Sequence, residues 1–199
     1  MNAEQMKVKI AQYLRYKMQM PVVAFESACY GSNGQSDVLA IDTKRYLTDI
    51  EVKLSIADLR ADINKPKHLY LHIAYHGLEL MQDSIQRRKS WKRAWQWQEL
   101  QEKYHRRPIE ANHTRYFYFA FPTELVNDAS KAVVSLYPYA GIYEVTEDMN
   151  YYGYYLKLQR KPYPFNVGRV SLKRGLNLVK GMSATLVRVS AKAEGVHLL

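Results

Sequence analysis

The sequence predicts an α/β fold, a mixed central β-sheet flanked by helices and carrying a basic helical insertion. Three observations point to it. Two short apolar runs flank a polar turn between residues 38 and 53, and a stretch with helical periodicity precedes them at 3–19. Two more apolar runs, 115–122 and 140–145, follow after a long basic stretch.

Met6, Ile10, Tyr13, Leu14 and Met18 recur at helical spacing within 3–19, and Pro21 marks the end of that helix. Val22 to Glu26 reads as a strand, and residues 30–35 as a flexible polar loop. Asp37 then opens the run Val38-Leu39-Ala40-Ile41. Asp42-Thr43-Lys44-Arg45 forms a turn, and Tyr46 to Ile50 leads into Glu51-Val52-Lys53. Side chains alternate along a strand, so Glu51 and Lys53 share one side while Ile50 and Val52 take the other. A hairpin over this stretch brings Asp37 and Glu51 together at one end of the sheet. Ser55, with Asp58 three residues on, reads as the N-cap of a helix through about Asn64.

Residues 65–112 read as an insertion. His68, His72 and His76 recur every four residues, a spacing that on a helix could bind a transition metal. The alternation of Leu69, Leu71, Ile73 and Tyr75 instead predicts a strand with the histidines as ordinary residues on its polar face. From Asp83 to Arg107 the chain has eight Lys/Arg against three acids, holds all three tryptophans, and lacks Gly and Pro, which predicts a long helix. Trp91 and Trp95 share a face, so part of this helix must pack. Its other side offers Arg87, Arg88, Lys89, Lys92 and Arg93, with Trp91, to nucleic acid, because interleaved cations and rings suit phosphates and unpaired bases. Later, Thr123 opens a short helix, 150–161 reads as a strand, and the tail from Val170 carries scattered Leu and Val. Gly175 and Gly181 weaken a helix there.

At 199 residues and 47% apolar composition the chain suits one domain with an insertion. A net charge of +10 favours a polyanionic partner, most simply nucleic acid. The single cysteine, Cys29, excludes an intramolecular disulfide and fits a reducing, cytoplasmic setting. The N-terminal stretch has no long apolar run, so neither a signal peptide nor a membrane span is expected. No P-loop, Gly-rich dinucleotide motif or internal repeat is present.

Two carboxylates and an ammonium at one sheet end are costly to crowd together unless they share a cation or an anionic substrate. Asp37 and Glu51 offer hard oxygens of the kind Mg²⁺ or Mn²⁺ takes. Such a metal polarises a phosphoryl oxygen and acidifies a bound water, while Lys53 orients that water or offsets developing charge. The plain alternative is a solvated strand face with a cross-strand charge pair. An acidic-x-Lys tripeptide alone is weak, since Asp42-Thr43-Lys44 is another; what strengthens Glu51-Val52-Lys53 is its context of Asp37, two strands and a following helix.

The spacing D-x13-E-x-K over Asp37, Glu51 and Lys53 resembles the signature of the PD-(D/E)xK nuclease superfamily, with Ser36 where the motif has proline. The run Ser55, Asp58, Arg60, Ala61, Asp62 narrows the resemblance to the MmcB-like DNA repair nucleases. It resumes at Arg115 to Pro122 and at Ala140 to Val145, covering roughly 5–64 and 113–190. This resemblance implies a restriction-endonuclease-like core in a single domain, 1–199, with residues 65–112 inserted. It implies Asp37 and Glu51 as ligands of Mg²⁺ or Mn²⁺, Lys53 as the third catalytic residue, and a further carboxylate, either Glu26 on the first strand or Glu4 on the first helix. Glu26 is preferred, since its strand neighbours Asp37; Glu4 suits a helix N-terminus by its charge alone. Gln35 also lies near the site, and Arg60 is expected to pair with Asp58 or Asp62 rather than to bind phosphate.

The expected activity is metal-dependent hydrolysis of DNA phosphodiesters, in repair, recombination or phage DNA processing, on duplex, single-stranded or branched substrate, with a homodimer left open. Two alternatives remain: a non-catalytic nucleic-acid-binding protein on the same fold, and an RNA-processing nuclease.

Overall fold

The computed structural model describes residues 1–28, 35–76, 114–147 and 155–180. The basic stretch 83–107, with Arg87, Arg88, Lys89, Trp91, Lys92 and Arg93, lies outside the described residues, as do Cys29 and most of the stretch read as an insertion.

Helix α1, Ala3–Gln12, begins with a capping box. Asn2 Oδ1 accepts from the Gln5 N–H at 2.9 Å, and Gln5 Oε1 accepts from the Asn2 N–H at 2.9 Å, which satisfies two N–H groups that have no helical partner. A π-turn, Tyr13–Lys17, continues it, and the chain leaves the helix four residues before Pro21. Strand β1, Val22–Ala28, and strand β2, Gln35–Ile41, pair antiparallel, and β2 pairs antiparallel with β3, Leu47–Val52. The turn between β2 and β3 is held by Asp42, whose Oδ1 accepts from the Tyr46 N–H at 2.8 Å, while Arg45 takes a left-handed φ of 67°.

After β3 come α2, Ile56–Ala61, a 3₁₀ turn Asp62–Asn64, and α3, Pro66–His76. Strand β4, Tyr116–Pro122, then lies parallel to β3. Helix α4, Val126–Leu136, connects it to a parallel β5, Gly141–Val145, and β6, Leu156–Arg160, closes the sheet antiparallel to β5. Sequence order and sheet order coincide from β1 to β6. Among the described residues a further helix, α5, spans 172–180 and runs through Gly175, where the sequence pattern weighs against a helix. The Gly175 N–H donates to Ser171 O at 3.0 Å, so the ladder holds despite the entropic cost of glycine. The mixed sheet flanked by helices is the architecture that the apolar runs predict.

Two apolar layers sandwich the sheet. On one face Met6 and Ile10 of α1 and Leu14 of the π-turn pack on Val38, Ala40, Ile50 and Val52. On the other, Leu59 of α2, Leu71 of α3 and Val133 of α4 pack on Leu39, Leu47, Phe117 and Phe119. Because the period of a strand is two, β3 splits its side chains between these layers. Ile50 and Val52 serve the α1 layer; Leu47, Asp49 and Glu51 face the α2/α3 layer. All six residues of β3 are buried, as befits a strand covered on both faces.

One expectation is overturned. Residues 66–76 are a helix, not a strand, and Leu71 of that helix packs into the core. The alternation at Leu69 to Tyr75 competes with a second pattern, Lys67, Leu71 and Tyr75 at four-residue spacing, which a helix lays on one face. Pro66 at the first helical position favours that choice, since its missing N–H has no helical partner to lose. His68 is consequently fully buried, its ring stacked on Phe119 with centroids 5.6 Å apart.

At Gly141 the pairing of β4 with β5 leaves no room for a side chain. A Cβ there would meet Tyr118 Cδ1 at 2.5 Å and Arg160 O at 3.0 Å, and the Tyr118 ring is itself stacked on Tyr143. Gly141→Ala is expected to destabilise the protein by about 1–3 kcal/mol, read as a lower urea midpoint. An unchanged midpoint would show that the ring moves aside without cost.

Candidate active site at the end of strands β2 and β3

The hairpin register sets Val38 opposite Ile50, so Asp37 falls opposite Glu51 at one end of the sheet. Asp37 Oδ2 accepts a hydrogen bond from the Val52 N–H at 2.8 Å. The Lys53 N–H donates to Ala120 O at 3.0 Å, so β3 still follows β4 one residue beyond its last strand position. The strand alternation therefore extends to Lys53, whose Nζ lies 3.7 Å from Glu51 Oε2. Asp37, Glu51 and Lys53 are thus together, as the spacing predicts.

Helix α2 supplies acceptors for Lys53. Ser55 Oγ caps it by accepting from the Asp58 N–H at 3.1 Å. That start places Asp58 and Asp62, four residues apart, on the face turned to β3. Lys53 Nζ lies 2.6 Å from Asp62 Oδ2 and 3.5 Å from Asp58 Oδ2. Asp62 also pairs with Lys65 at 2.6 Å and lies 3.7 Å from His68 Nε2, so its partners are two lysines and a histidine rather than the expected Arg60.

Two further lysines reach the site from other elements. From α1, Lys7 Nζ donates to Glu4 Oε1 at 2.8 Å and to Glu26 Oε1 at 3.0 Å, and lies 3.7 Å from Asp37 Oδ1. Glu4 and Glu26, the two candidates for an additional carboxylate, therefore share one ammonium beside Asp37. Both are well exposed, and Glu26 sits in a left-handed backbone conformation with φ 46°. From α3, the buried Lys67 Nζ contacts Glu51 Oε1, lies 3.9 Å from Asp49 Oδ2, and donates to Gln35 O at 3.3 Å. Gln35 thus enters through its carbonyl, while its side-chain amide donates to Glu26 O at 2.5 Å.

Burial governs the protonation of these groups. It pushes Glu51 up to about 7; the Lys67 charge opposes that rise, and Asp49 and Asp37 add to it. Burial alone would lower Lys53, but the Asp62 hydrogen bond with the Glu51 and Asp58 charges holds it above its usual value, so it is an ammonium at neutral pH. Lys7 behaves likewise, with Glu4, Glu26 and Asp37 outweighing desolvation. His68, brought down to about 3 chiefly by burial, is neutral; its Nδ1 lies 2.8 Å from the Tyr139 hydroxyl and its Nε2 3.7 Å from Asp62 Oδ2.

The carboxylates of Glu4, Glu26, Asp37, Asp49, Glu51, Asp58 and Asp62 outnumber the ammoniums of Lys7, Lys53, Lys65 and Lys67. An acidic site in a chain of net charge +10 suits a cation, and its donors are the hard oxygens that Mg²⁺ or Mn²⁺ takes. Among the described residues, however, no three acidic, imidazole or thiol groups converge as a preformed metal site. Lysines stand between the carboxylates instead. The histidines, expected as ordinary residues of a polar face, lie elsewhere: His68 is fully buried, and the His72 ring packs edge-on against Tyr139, 5.0 Å between centroids.

Lys7, Asp49 and Lys67 also belong to this site and lie outside the D-x13-E-x-K spacing. Lys7 lies among other basic residues of an amphipathic helix, and Lys67 falls in the segment whose periodicity reads as a strand. Asp49 had a usable signal: it precedes Glu51 by two residues on the same strand face.

Asp62 is expected to be the main electrostatic support of Lys53. Burial tends to raise its carboxyl, but His68, Lys53 and Lys65 together hold it far below its ordinary value of 3.8. A folded value below the unfolded one means stabilisation that is complete above the unfolded value and fades as the pH falls through the acid range. Glu51 acts with the opposite sign, its raised value costing stability as the pH climbs from 4.5 to about 7. Asp62→Asn should lose about 3–5 kcal/mol at pH 7 and distinctly less at pH 3, by denaturant titration. A loss of equal size at both values would mean that packing, not charge, is the contribution of Asp62.

No protein-family model matches this chain, and no curated protein sequence matches it. It is similar to a solved structure described as "SPO1766 protein of unknown function from Silicibacter pomeroyi", at 15% identity over 98% of this chain and 92% of that one, with a TM-score of 0.49. A likeness at that level gives no ground for a functional inference.

Proposed function

We propose that this protein is a metal-dependent nuclease of the PD-(D/E)xK type, built on a restriction-endonuclease-like core. The observation that carries the reading is the convergence of Asp37, Glu51 and Lys53 at one end of β2 and β3. The element order α1-β1-β2-β3-α2 supports it, being the opening order of that core. Asp37 and Glu51 would hold Mg²⁺ or Mn²⁺, with Glu26 nearby through Lys7. The metal supplies a polarised phosphoryl oxygen and a more acidic water. Lys53, kept as an ammonium by Asp62, donates hydrogen bonds to the attacking water or to the phosphorane oxygens, where negative charge builds up. In that protonated state it is an electrostatic and positioning group, not a general base. The overall charge of +10 and the basic stretch with Arg87, Arg88, Lys89, Trp91, Lys92 and Arg93 would hold the DNA.

A second reading has its own support. Glu51 is already compensated by Lys67, and Asp37 lies beside Lys7. Such a network also suits a non-catalytic nucleic-acid-binding protein in which the charges only stabilise the fold. RNA in place of DNA is compatible with every residue in the site.

Incubation of linear duplex, single-stranded and branched DNA with Mg²⁺ or Mn²⁺ separates these readings. Wild type should cleave, and Lys53→Ala should cleave roughly 10²-fold more slowly or worse while still binding DNA. Binding without cleavage by both proteins would establish the second reading. Undiminished cleavage by the variant would remove Lys53 from the chemistry.

A further inference from the structure

Lys67 is the one lysine of the site that comes from α3, and its setting is unusual. Its side chain is 2% exposed, and its Nζ rests among oxygens of two strands: Glu51 Oε1, Asp49 Oδ2 and the Gln35 carbonyl. The same ammonium lies 5.6 Å from the centroid of the Phe117 ring. A long flexible side chain is fully ordered here, at a conformational cost that the fold must recover. Two carboxylates and a backbone carbonyl are also the ligand types that a hard divalent cation takes. Glu51, the residue that Lys67 contacts, is the candidate metal ligand of β3.

Resting on the nuclease reading, we propose that Lys67 is a tethered counter-cation that competes with the divalent metal for Glu51. In the state described, its ammonium neutralises part of the buried acidic charge, which lets α3 pack over the sheet end without a metal. A divalent cation taking Glu51 brings two positive charges into a space that already holds one. Coulomb repulsion between cations a few ångströms apart in a poorly solvated site amounts to several kcal/mol. Lys67 therefore leaves Glu51 when the metal arrives, and metal loading is coupled to the position of the first turn of α3. This accounts for a site rich in carboxylates that nevertheless lacks a ready-made metal geometry among the described residues. It also assigns a role to a residue that none of the spacing arguments reached.

Two measurements on the full-length chain test the proposal. The first titrates Mn²⁺ into wild type, Lys67→Met, Lys67→Gln and Lys67→Arg, following free Mn²⁺ by electron paramagnetic resonance. The two neutral variants should bind at least about tenfold more tightly than wild type, Lys67→Arg should bind like wild type, and adding Glu51→Gln to Lys67→Met should abolish the gain. Affinity that is unchanged or weaker in the neutral variants, or no binding by any of the proteins, would overturn the proposal. The second measurement needs no variant, in case a neutral side chain at 67 prevents folding. Wild type is treated with acetic anhydride at increasing Mg²⁺, and acetylation of Lys67 is read by peptide mass spectrometry. Lys67 should be protected without metal and become reactive as Mg²⁺ saturates; protection that persists at saturation would equally overturn it. Neither readout depends on cleavage. Tighter binding by an inactive protein would sustain the counter-cation and reject the nuclease, and an active protein with unchanged affinity would do the reverse.

Discussion

Charges buried at the end of β2 and β3 constrain everything around them. Glu51 and Lys53 lie on the same face of a strand that is covered on both sides, and neither can be left in that setting alone without a penalty of several kcal/mol. Asp62 answers Lys53 and Lys67 answers Glu51, so α2 and α3 must both dock where they do. Lys7 extends the network through the end of the sheet to α1, which otherwise contributes an apolar stripe. Each helix near the site is thus held twice, by hydrophobic contact along its length and by ion pairs at the sheet end.

The two kinds of hold differ in what they specify. The apolar layers tolerate exchange of one large hydrophobic residue for another, because burial is non-directional and depends mainly on area and fit. The ion pairs are directional: Asp62 serves both Lys53 and Lys65 at 2.6 Å, which leaves little freedom in where the 3₁₀ turn after α2 can sit. His68 ties the same turn to Tyr139, between α4 and β5, through a neutral imidazole. A polar thread, Glu51 to Lys53 to Asp62 to His68 to Tyr139, consequently crosses a layer that is otherwise aromatic and aliphatic. Polar groups buried in this way stabilise only while every partner stays in place.

The same network bears on chemistry. A surplus of carboxylates over ammoniums makes this end of the sheet locally acidic within a strongly basic chain, a contrast that suits a polyanionic partner held elsewhere and a cation held here. Both the catalytic reading and its non-catalytic rival use these residues. They part on whether a divalent cation held by these carboxylates supports cleavage.

The hairpin was legible in the sequence because its information is local. Apolar runs, an Asp-led turn and two-residue alternation together place Asp37, Glu51 and Lys53 without any long-range contact. The first helix, the Ser55 cap and the strands at 116–122 and 141–145 were legible for the same reason. The partners of the charged residues were not. Lys7, forty-four residues before Glu51, and Lys67, sixteen after it, look like any lysine on a helix until the sheet brings them to one end. Residues 66–76 show why local pattern failed there: two- and four-residue periodicities coexist, and packing of Leu71 and His68 against Phe117 and Phe119 decides in favour of the helix. Sequence alone determined which residues would share a strand face; tertiary structure decided which ammonium each buried carboxylate would meet, because desolvation leaves such a charge no acceptable arrangement without a partner.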